Sequence, residues 1–270
     1  MRVAVVSVHG CPEVRLGHKD TGGMNAVLLQ TATRLGELGI SIDIFTRLHG
    51  MELPRIVKLT SNVTVIHLAT AANFVDKEQI YNESEHFIDE INLYKRSHNL
   101  LYDVLHIHYW LSSAIGIALS KRWKVPLVAQ FHTLADTKGK SMIQVPDPLL
   151  RKNVERNLIQ HADKILVASS SEMTSVEHMH SQSDAKLEMV PYGVDTTMFY
   201  PLNLTEARCH LGLNGDPLIL YVGRIDPIKG IDLLLQSVAC MKIRENAEVI
   251  VIGGGEIQYD QYLDYLQQLS

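Results

Sequence analysis

VAVVSV (Val3–Val8), MNAVLLQTATRLGEL (Met24–Leu38) and IDIFT (Ile42–Thr46) follow one another at the start of the chain, and their order decides the fold. The first and third are short apolar runs suited to buried strands, and the second carries a helical pattern that Gly39 stops. Strand, helix, strand is a βαβ opening, which implies parallel pairing through a right-handed crossover. The alternation continues. Further strands are predicted at Val63–Leu68, Val104–Ile107, Leu127–Phe131, Ile165–Ala168 and Leu187–Val190, and helices at Lys77–Leu100, Leu111–Lys121, Pro148–His161 and Glu172–His180. A doubly wound sheet, a Rossmann-like domain over residues 1–190, is the expected result.

PYGVDTTMFYP (Pro191–Pro201) is bounded by prolines and has neither periodicity, so residues 191–204 are expected to link two domains. The pattern then restarts in 205–270, with strands at Leu218–Val222 and Glu248–Ile252, a helix at Ile231–Met241, and another running to Ser270. Two strands are too few for a second α/β domain, and Gln267–Ser270 shows no stop signal. The chain is expected to be a fragment, truncated within its second domain.

A length of 270 residues suits two domains, and 46% hydrophobic residues exclude wholesale disorder. A net charge of -5 and a pI near 6.2 leave no basic footprint for nucleic acid or an anionic membrane. Val3–Val8 is too short for a signal-peptide core, and no segment approaches the apolar length that spans a bilayer. Cys11, Cys209 and Cys240 lack paired metal spacing and read as reduced thiols that serve packing in a cytoplasmic protein. Among thirteen histidines, His178 and His180 diverge on a helix, whereas His106 and His108 share a strand face. Structural or substrate roles are favoured over metal binding for that pair.

LILYVGRIDPIKG (Leu218–Gly230) places Arg224 and Lys229 between a strand end and a helix start. Gly223 permits the turn, and helix amino termini favour anions, so two cations there suit a diphosphate; solvated loop charges are the alternative. Gly22 and Gly23, within His9–Met24, present backbone N–H groups at another helix start, with Lys19 and Asn25 close in sequence. A plain tight turn is the competing reading. Neither this loop nor Gly253–Gly255 completes a dinucleotide fingerprint, which argues against an NAD- or FAD-dependent oxidoreductase. His108 and Tyr109 end one strand, His132 and Thr133 another, offering directional hydrogen bonds to a polyhydroxylated ligand or simply capping the strands.

Six segments in order resemble the retaining glycosyltransferases of family 4, which have the two-domain GT-B fold. They are KDTGGMN (Lys19–Asn25), HIHYWLSS (His106–Ser113), FHT (Phe131–Thr133), ADKILVASSSE (Ala162–Glu172), VPYGVDTTMFYP (Val190–Pro201) and YVGRIDPIKG (Tyr221–Gly230). Within the family the likeness is greatest to sucrose-phosphate synthases and D-inositol-3-phosphate glycosyltransferases. The resemblance implies a complete acceptor-side domain and an incomplete second Rossmann-like domain for the nucleotide-sugar donor. It assigns the donor diphosphate to Arg224 and Lys229 with backbone contacts from Gly22 and Gly23, and places His132 beside the transferred sugar. Acceptor contacts would come from Asn25, Tyr109 and Thr133. Lys77 in VDKEQI and Arg151 in DPLLRKNVE would join them, unless both are exposed helix charges.

The implied reaction moves a glycosyl group from a nucleotide diphosphate, expected to be a UDP-sugar, to a hydroxyl of a sugar, sugar phosphate or inositol phosphate, with retention. The leaving diphosphate is stabilised by fixed cations, so no metal, cofactor or carboxylate nucleophile is called for. The family's pair of donor-binding glutamates falls beyond Ser270, so this chain alone is expected to be inactive. Its partners are small molecules, and a homo-oligomer is left open. A non-catalytic sugar-phosphate binder is the main alternative.

Overall fold

In the computed structural model the described residues are 1–13, 22–48, 53–69, 77–135, 149–179, 186–213, 217–241, 247–254 and 260–269. The chain divides into two compact units, the first running to Tyr192 and the second from Gly193 onward.

Among the described residues, the first unit has eight strands: β1 (Arg2–Val6), β2 (Ser41–Arg47), β3 (Ile56–Lys58), β4 (Val63–Leu68), β5 (Val104–His108), β6 (Leu127–Gln130), β7 (Lys164–Val167) and β8 (Leu187–Met189). They lie in the order β3-β4-β2-β1-β5-β6-β7-β8. All pairs are parallel except β3 with β4. Strand alternation sends residues to two cores. Ala4, Val6, Phe45, Leu105 and Ile107 meet Phe87, Ile91, Ile115 and Leu158 on one face. Val3, Val5, Ile42 and Ile44 meet Leu28 and Ala32 on the other. Apolar residues on both faces of each central strand require helices on both sides, the doubly wound arrangement.

Among the described residues, the helices of this unit are α1 (Gly23–Glu37), α2 (Lys77–Asn82), α3 (Ser84–Ser97), α4 (Ser113–Trp123), α5 (Leu149–His161) and α6 (Ser170–Met179). The single helix predicted over Lys77–Leu100 is two. The Ser84 hydroxyl donates to the Tyr81 carbonyl at 2.5 Å, a local bond that competes with the helical ladder. The end comes early because Asn99 adopts a left-handed φ of 49° just past the His98 cap. β3 was not predicted; three residues after Pro54 carry too little periodicity to read. A short 3₁₀ turn at Trp110–Ser112 precedes α4. His180, predicted to end α6, lies outside the described residues.

In the second unit, β9 (Leu218–Val222) and β10 (Glu248–Ile252) pair in parallel, with Leu220 opposite Ile250. Helices α7 (Leu204–His210), α8 (Ile231–Ala239) and α9 (Asp260–Leu269) accompany them. α7 was also missed, although its cap was readable: Asn203 Oδ1 accepts from the N–H groups of Thr205 at 2.9 Å and Glu206 at 3.2 Å. Gly253 is required where β10 ends, since a β-carbon there would lie 1.7 Å from the Gly223 carbonyl oxygen. No helix among the described residues is long and apolar enough to cross a membrane.

Candidate active site

β1 has β2 on one side and β5 on the other, so the sheet changes direction of winding between β1 and β5. The carboxyl ends of strands at such a point leave a crevice where ligands bind. His108 closes β5, and His132 follows β6 by two residues. Tyr109 and His132 take left-handed φ values of 66° and 62°, a conformation that costs non-glycine residues about 1–3 kcal/mol. The two residues follow neighbouring strands of the sheet.

His108 Nδ1 and His132 Nε2 share a hydrogen bond of 2.8 Å, and the rings stack at 5.1 Å. The His106 ring lies 4.3 Å from that of His108, as expected for one strand face. Burial lowers His106 and His132 from 6.5 to about 4, with His106 a second cause for His132. Burial, then His106 and His132, push His108 well below its ordinary value. The three rings are therefore neutral at pH 7, and a single proton lies in the His108–His132 bond. His132 Nδ1 also meets the Tyr192 hydroxyl at 3.1 Å. Tyr192 is itself raised, by burial first and then by Glu172.

Around Tyr109 the predicted acceptor residues converge. Lys77 Nζ stands 5.7 Å and the Arg151 guanidinium 5.2 Å from its ring centroid, and His9 stacks on it at 5.1 Å. Arg151 is not the exposed helix charge of the bland reading, because only 1% of its surface is accessible. Its Nε donates to Glu155 Oε1 at 2.7 Å, and its Nη2 donates to the Thr133 carbonyl at 2.7 Å and hydroxyl at 3.1 Å. Lys77 is half-buried. The buried Asn25 donates from Nδ2 to the Cys11 carbonyl at 2.8 Å. Gly10 is needed beside it, since a β-carbon would come within 2.6 Å of Asn25 Oδ1.

α1 starts at Gly23 with Gly22 as its cap residue, and neither a side-chain cap nor an acidic residue occupies its first turn. Its amino terminus thus keeps its N–H groups and positive field for a ligand. Lys19, expected nearby, lies outside the described residues.

The second unit holds Arg224 and Lys229 on the predicted strand–loop–helix. Arg224 Nη2 lies 3.4 Å from the largely buried Asp226, and the Tyr221 hydroxyl donates to the Arg224 carbonyl at 2.7 Å. The exposed Lys229 ends a 3₁₀ turn, and Gly230, at φ 67°, opens α8. Asp226 thus sets the Arg224 side chain, a role that sequence reasoning did not give it.

Two further residues were missed. Glu172, at the exit of β7, accepts from the Ala168 N–H at 2.8 Å; its Oε1 is buried without a hydrogen bond, and burial raises its pKa. Tyr192 sat in the presumed linker. Both fell within segments quoted for the resemblance, which was the only signal available. The packing role expected of the three thiols holds for Cys11, which is buried; Cys209 and Cys240 are exposed on the second unit.

The profile of Glycosyltransferase Family 4 matches residues 21–198. The D-inositol 3-phosphate glycosyltransferase of Actinosynnema mirum is 36% identical over 263 residues, covering 94% of this chain and 63% of the relative. That of Nocardia farcinica is 33% identical over 262 residues, covering 94% and 58%. The chain thus spans about three fifths of the length of these curated relatives. Among solved structures, a sucrose-phosphate synthase from Thermosynechococcus elongatus superposes with a TM-score of 0.87 at 25% identity, over 99% of this chain and 67% of the other. Anabaena Alr3699/HepE, solved with UDP and glucose, shares the fold with a TM-score of 0.69 at 15% identity, over 100% and 65%. The architecture is of the GT-B type, a whole Rossmann-like unit followed by part of a second. With the family profile spanning well over half its length, the chain belongs to Glycosyltransferase Family 4.

Proposed function

We propose that the complete protein transfers a sugar from a nucleotide diphosphate to a hydroxyl of a sugar, sugar phosphate or inositol phosphate, with retention of configuration. The observation that carries this reading is the gathering of Lys77, Arg151, Thr133 and Asn25 about Tyr109 and the β1 exit, beside His132. Cations, a hydroxyl and an amide around an aromatic ring suit a phosphorylated polyol. The names of the inositol-phosphate relatives support that acceptor class, and the UDP complex of the Anabaena protein supports a UDP-sugar donor.

On this reading residues 1–190 form the acceptor domain, 191–204 the linker and 205–270 part of the donor domain. Arg224 and Lys229 of the second unit hold the diphosphate; in the first unit the amino terminus of α1 at Gly22 and Gly23 offers its N–H groups to an anionic group of the ligand. The bond from the anomeric carbon to the bridging oxygen breaks, and charge grows on that oxygen opposite cations fixed before reaction. The acceptor oxygen bonds on the same face, and its proton passes to the departing phosphate. His132, held neutral, orients the donor sugar by replacing its Tyr192 partner with a sugar hydroxyl. The protein works in the cytoplasm on small molecules, without nucleic acid, and as a monomer or homo-oligomer.

The complete protein should release UDP from UDP-glucose or UDP-N-acetylglucosamine only when inositol phosphate or fructose phosphate is present. Proton NMR of the product should show the donor's α configuration. Acceptor-independent release, or a β product, would overturn the reading. The first unit has its own core and carries the acceptor candidates by itself, so a sugar-phosphate-binding role is the second reading. Calorimetric binding of inositol phosphate without any transfer by the complete protein would favour it. An NADH-induced thermal shift would reopen the oxidoreductase alternative.

A further inference from the structure

We infer that Cys11, Glu13 and His67 form a binding site for a thiophilic divalent cation of the zinc type. The three are separated by up to 56 positions, which is why no metal spacing is visible in the sequence. The loop leaving β1 passes over the end of β2 and brings Cys11 and Glu13 to His67 in β4, the next strand of the sheet. One ligand atom from each lies within 4.8 Å of the others. Cys11 Sγ is 3.3 Å from His67 Nε2, and Glu13 Oε2 is also 3.3 Å from it.

Hydrogen-bond bookkeeping makes this more than a polar cluster. His67 Nδ1 lies 2.7 Å from the Pro54 carbonyl, which can only accept, so Nδ1 carries a proton. In the neutral ring the Nε2 lone pair then faces the other two residues. A thiol proton can satisfy that lone pair, but nothing is left for the carboxylate, and Glu13 Oε2 is buried without a hydrogen bond. With a neutral His67, the sulfur, the Nε2 lone pair and the carboxylate oxygen thus converge as three potential ligand atoms. A cation resolves the conflict by taking the thiol's place as the shared partner: the Cys11 proton leaves to solvent as the sulfur–metal bond forms, and the charges of thiolate and carboxylate offset that of a divalent ion. The Nδ1–carbonyl bond is the outer contact that orients metal-bound histidines. A thiolate beside an imidazole selects zinc-like ions over magnesium or calcium, and three protein ligands leave a coordination position for water. The site is independent of the glycosyl-transfer reading, although Cys11 also presents its carbonyl to Asn25.

Cobalt(II) tests this in the 270-residue chain carrying Cys209→Ser and Cys240→Ser, which removes the two exposed thiols. After chelator treatment, titration with Co²⁺ should saturate at one equivalent, with a thiolate-to-cobalt charge-transfer band that Zn²⁺ abolishes. Cys11→Ser and His67→Gln should each remove the band. Zn²⁺ alone should raise the melting temperature of the parent and not of these variants. Glu13→Gln, at a partly exposed position, should fold normally and weaken Co²⁺ binding at least tenfold. The inference is overturned by an absent band in the parent, by a band that persists in Cys11→Ser, or by an unchanged Co²⁺ affinity in Glu13→Gln. An absent band would leave an imidazolium–carboxylate pair as the occupant.

Discussion

Arg151→Met in the first unit removes one half of a charge pair that the fold has taken almost entirely out of water. Arg151 is 1% and Glu155 0% exposed, and the Nε–Oε1 distance is 2.7 Å. Much of the desolvation cost of both charges is offset by their facing each other, so losing the cation leaves the buried Glu155 carboxylate without its guanidinium. Breaking such a pair costs about 3–5 kcal/mol. For a domain of this size that is a fall of about 10 °C in melting temperature. The reasoning is sharpened by the second variant. Glu155 Oε2 also accepts from the Ala135 N–H at 3.0 Å, so Glu155→Leu would orphan a backbone donor, whereas Glu155→Gln keeps an acceptor and discards the charge. Arg151→Met/Glu155→Gln should therefore lie within about 1–2 kcal/mol of the parent, more stable than Arg151→Met alone. Urea unfolding followed by tryptophan fluorescence measures both. In the complete protein, both variants should lose affinity for inositol phosphate alike, since both lack the guanidinium. A single variant that loses less than about 1 kcal/mol, or a double variant no more stable than the single, refutes the buried-pair argument.

Acidification should destabilise the first unit through its histidines. His106 and His132 have folded values near 4 against 6.5 unfolded, so the unfolded chain takes up protons first; their contribution is whole above 6.5 and is lost as pH falls towards 4. At 1.36 kcal/mol per unit each ring contributes about 3 kcal/mol, partly offset by Glu13 and Glu172, whose raised values act with the opposite sign. Urea midpoints should fall steeply between these limits, and a flat profile would remove the neutral-imidazole cluster. Lys229→Ala in the complete protein should weaken UDP binding roughly 10- to 150-fold, the equivalent of a charge-assisted contact of about 1.5–3 kcal/mol. Undiminished affinity by titration calorimetry takes Lys229 out of the donor site. His132→Ala should lower kcat with little change in UDP affinity, and unaltered turnover would cancel its proposed role.

The fold was legible because its signals are local. Val3–Val8, Met24–Leu38 and Ile42–Thr46 each declare their state within one window, and a parallel order follows from their alternation. Reading failed where a single side chain decides the backbone: Ser84 bonding back to Tyr81, Asn99 turning left-handed, Asn203 capping α7. These choices are worth about 1 kcal/mol each and leave no periodic trace. The site was legible only as far as strand ends are. His108, Tyr109, His132 and Thr133 were placed by what precedes them. What they touch was not, because Arg151 reaches Thr133 from a helix 18 residues away and Tyr192 reaches His132 across 60.

That difference also explains why the sequence left Arg151 open between an acceptor contact and an exposed helix charge. A lysine or arginine in a helical pattern looks solvated unless something distant buries it, and the acidic partner that makes burial tolerable looks equally ordinary. Arg151 and Glu155 have the i, i+4 spacing of countless surface pairs. Only the packing of α5 beneath the strand ends turns this pair into an anchor that holds Thr133 and supports Tyr109. The cation is structural and, on the proposed function, also serves ligand recognition beside Tyr109, so its loss cannot be interpreted from activity alone. The Glu155→Gln companion separates the two roles by restoring the fold without restoring the charge.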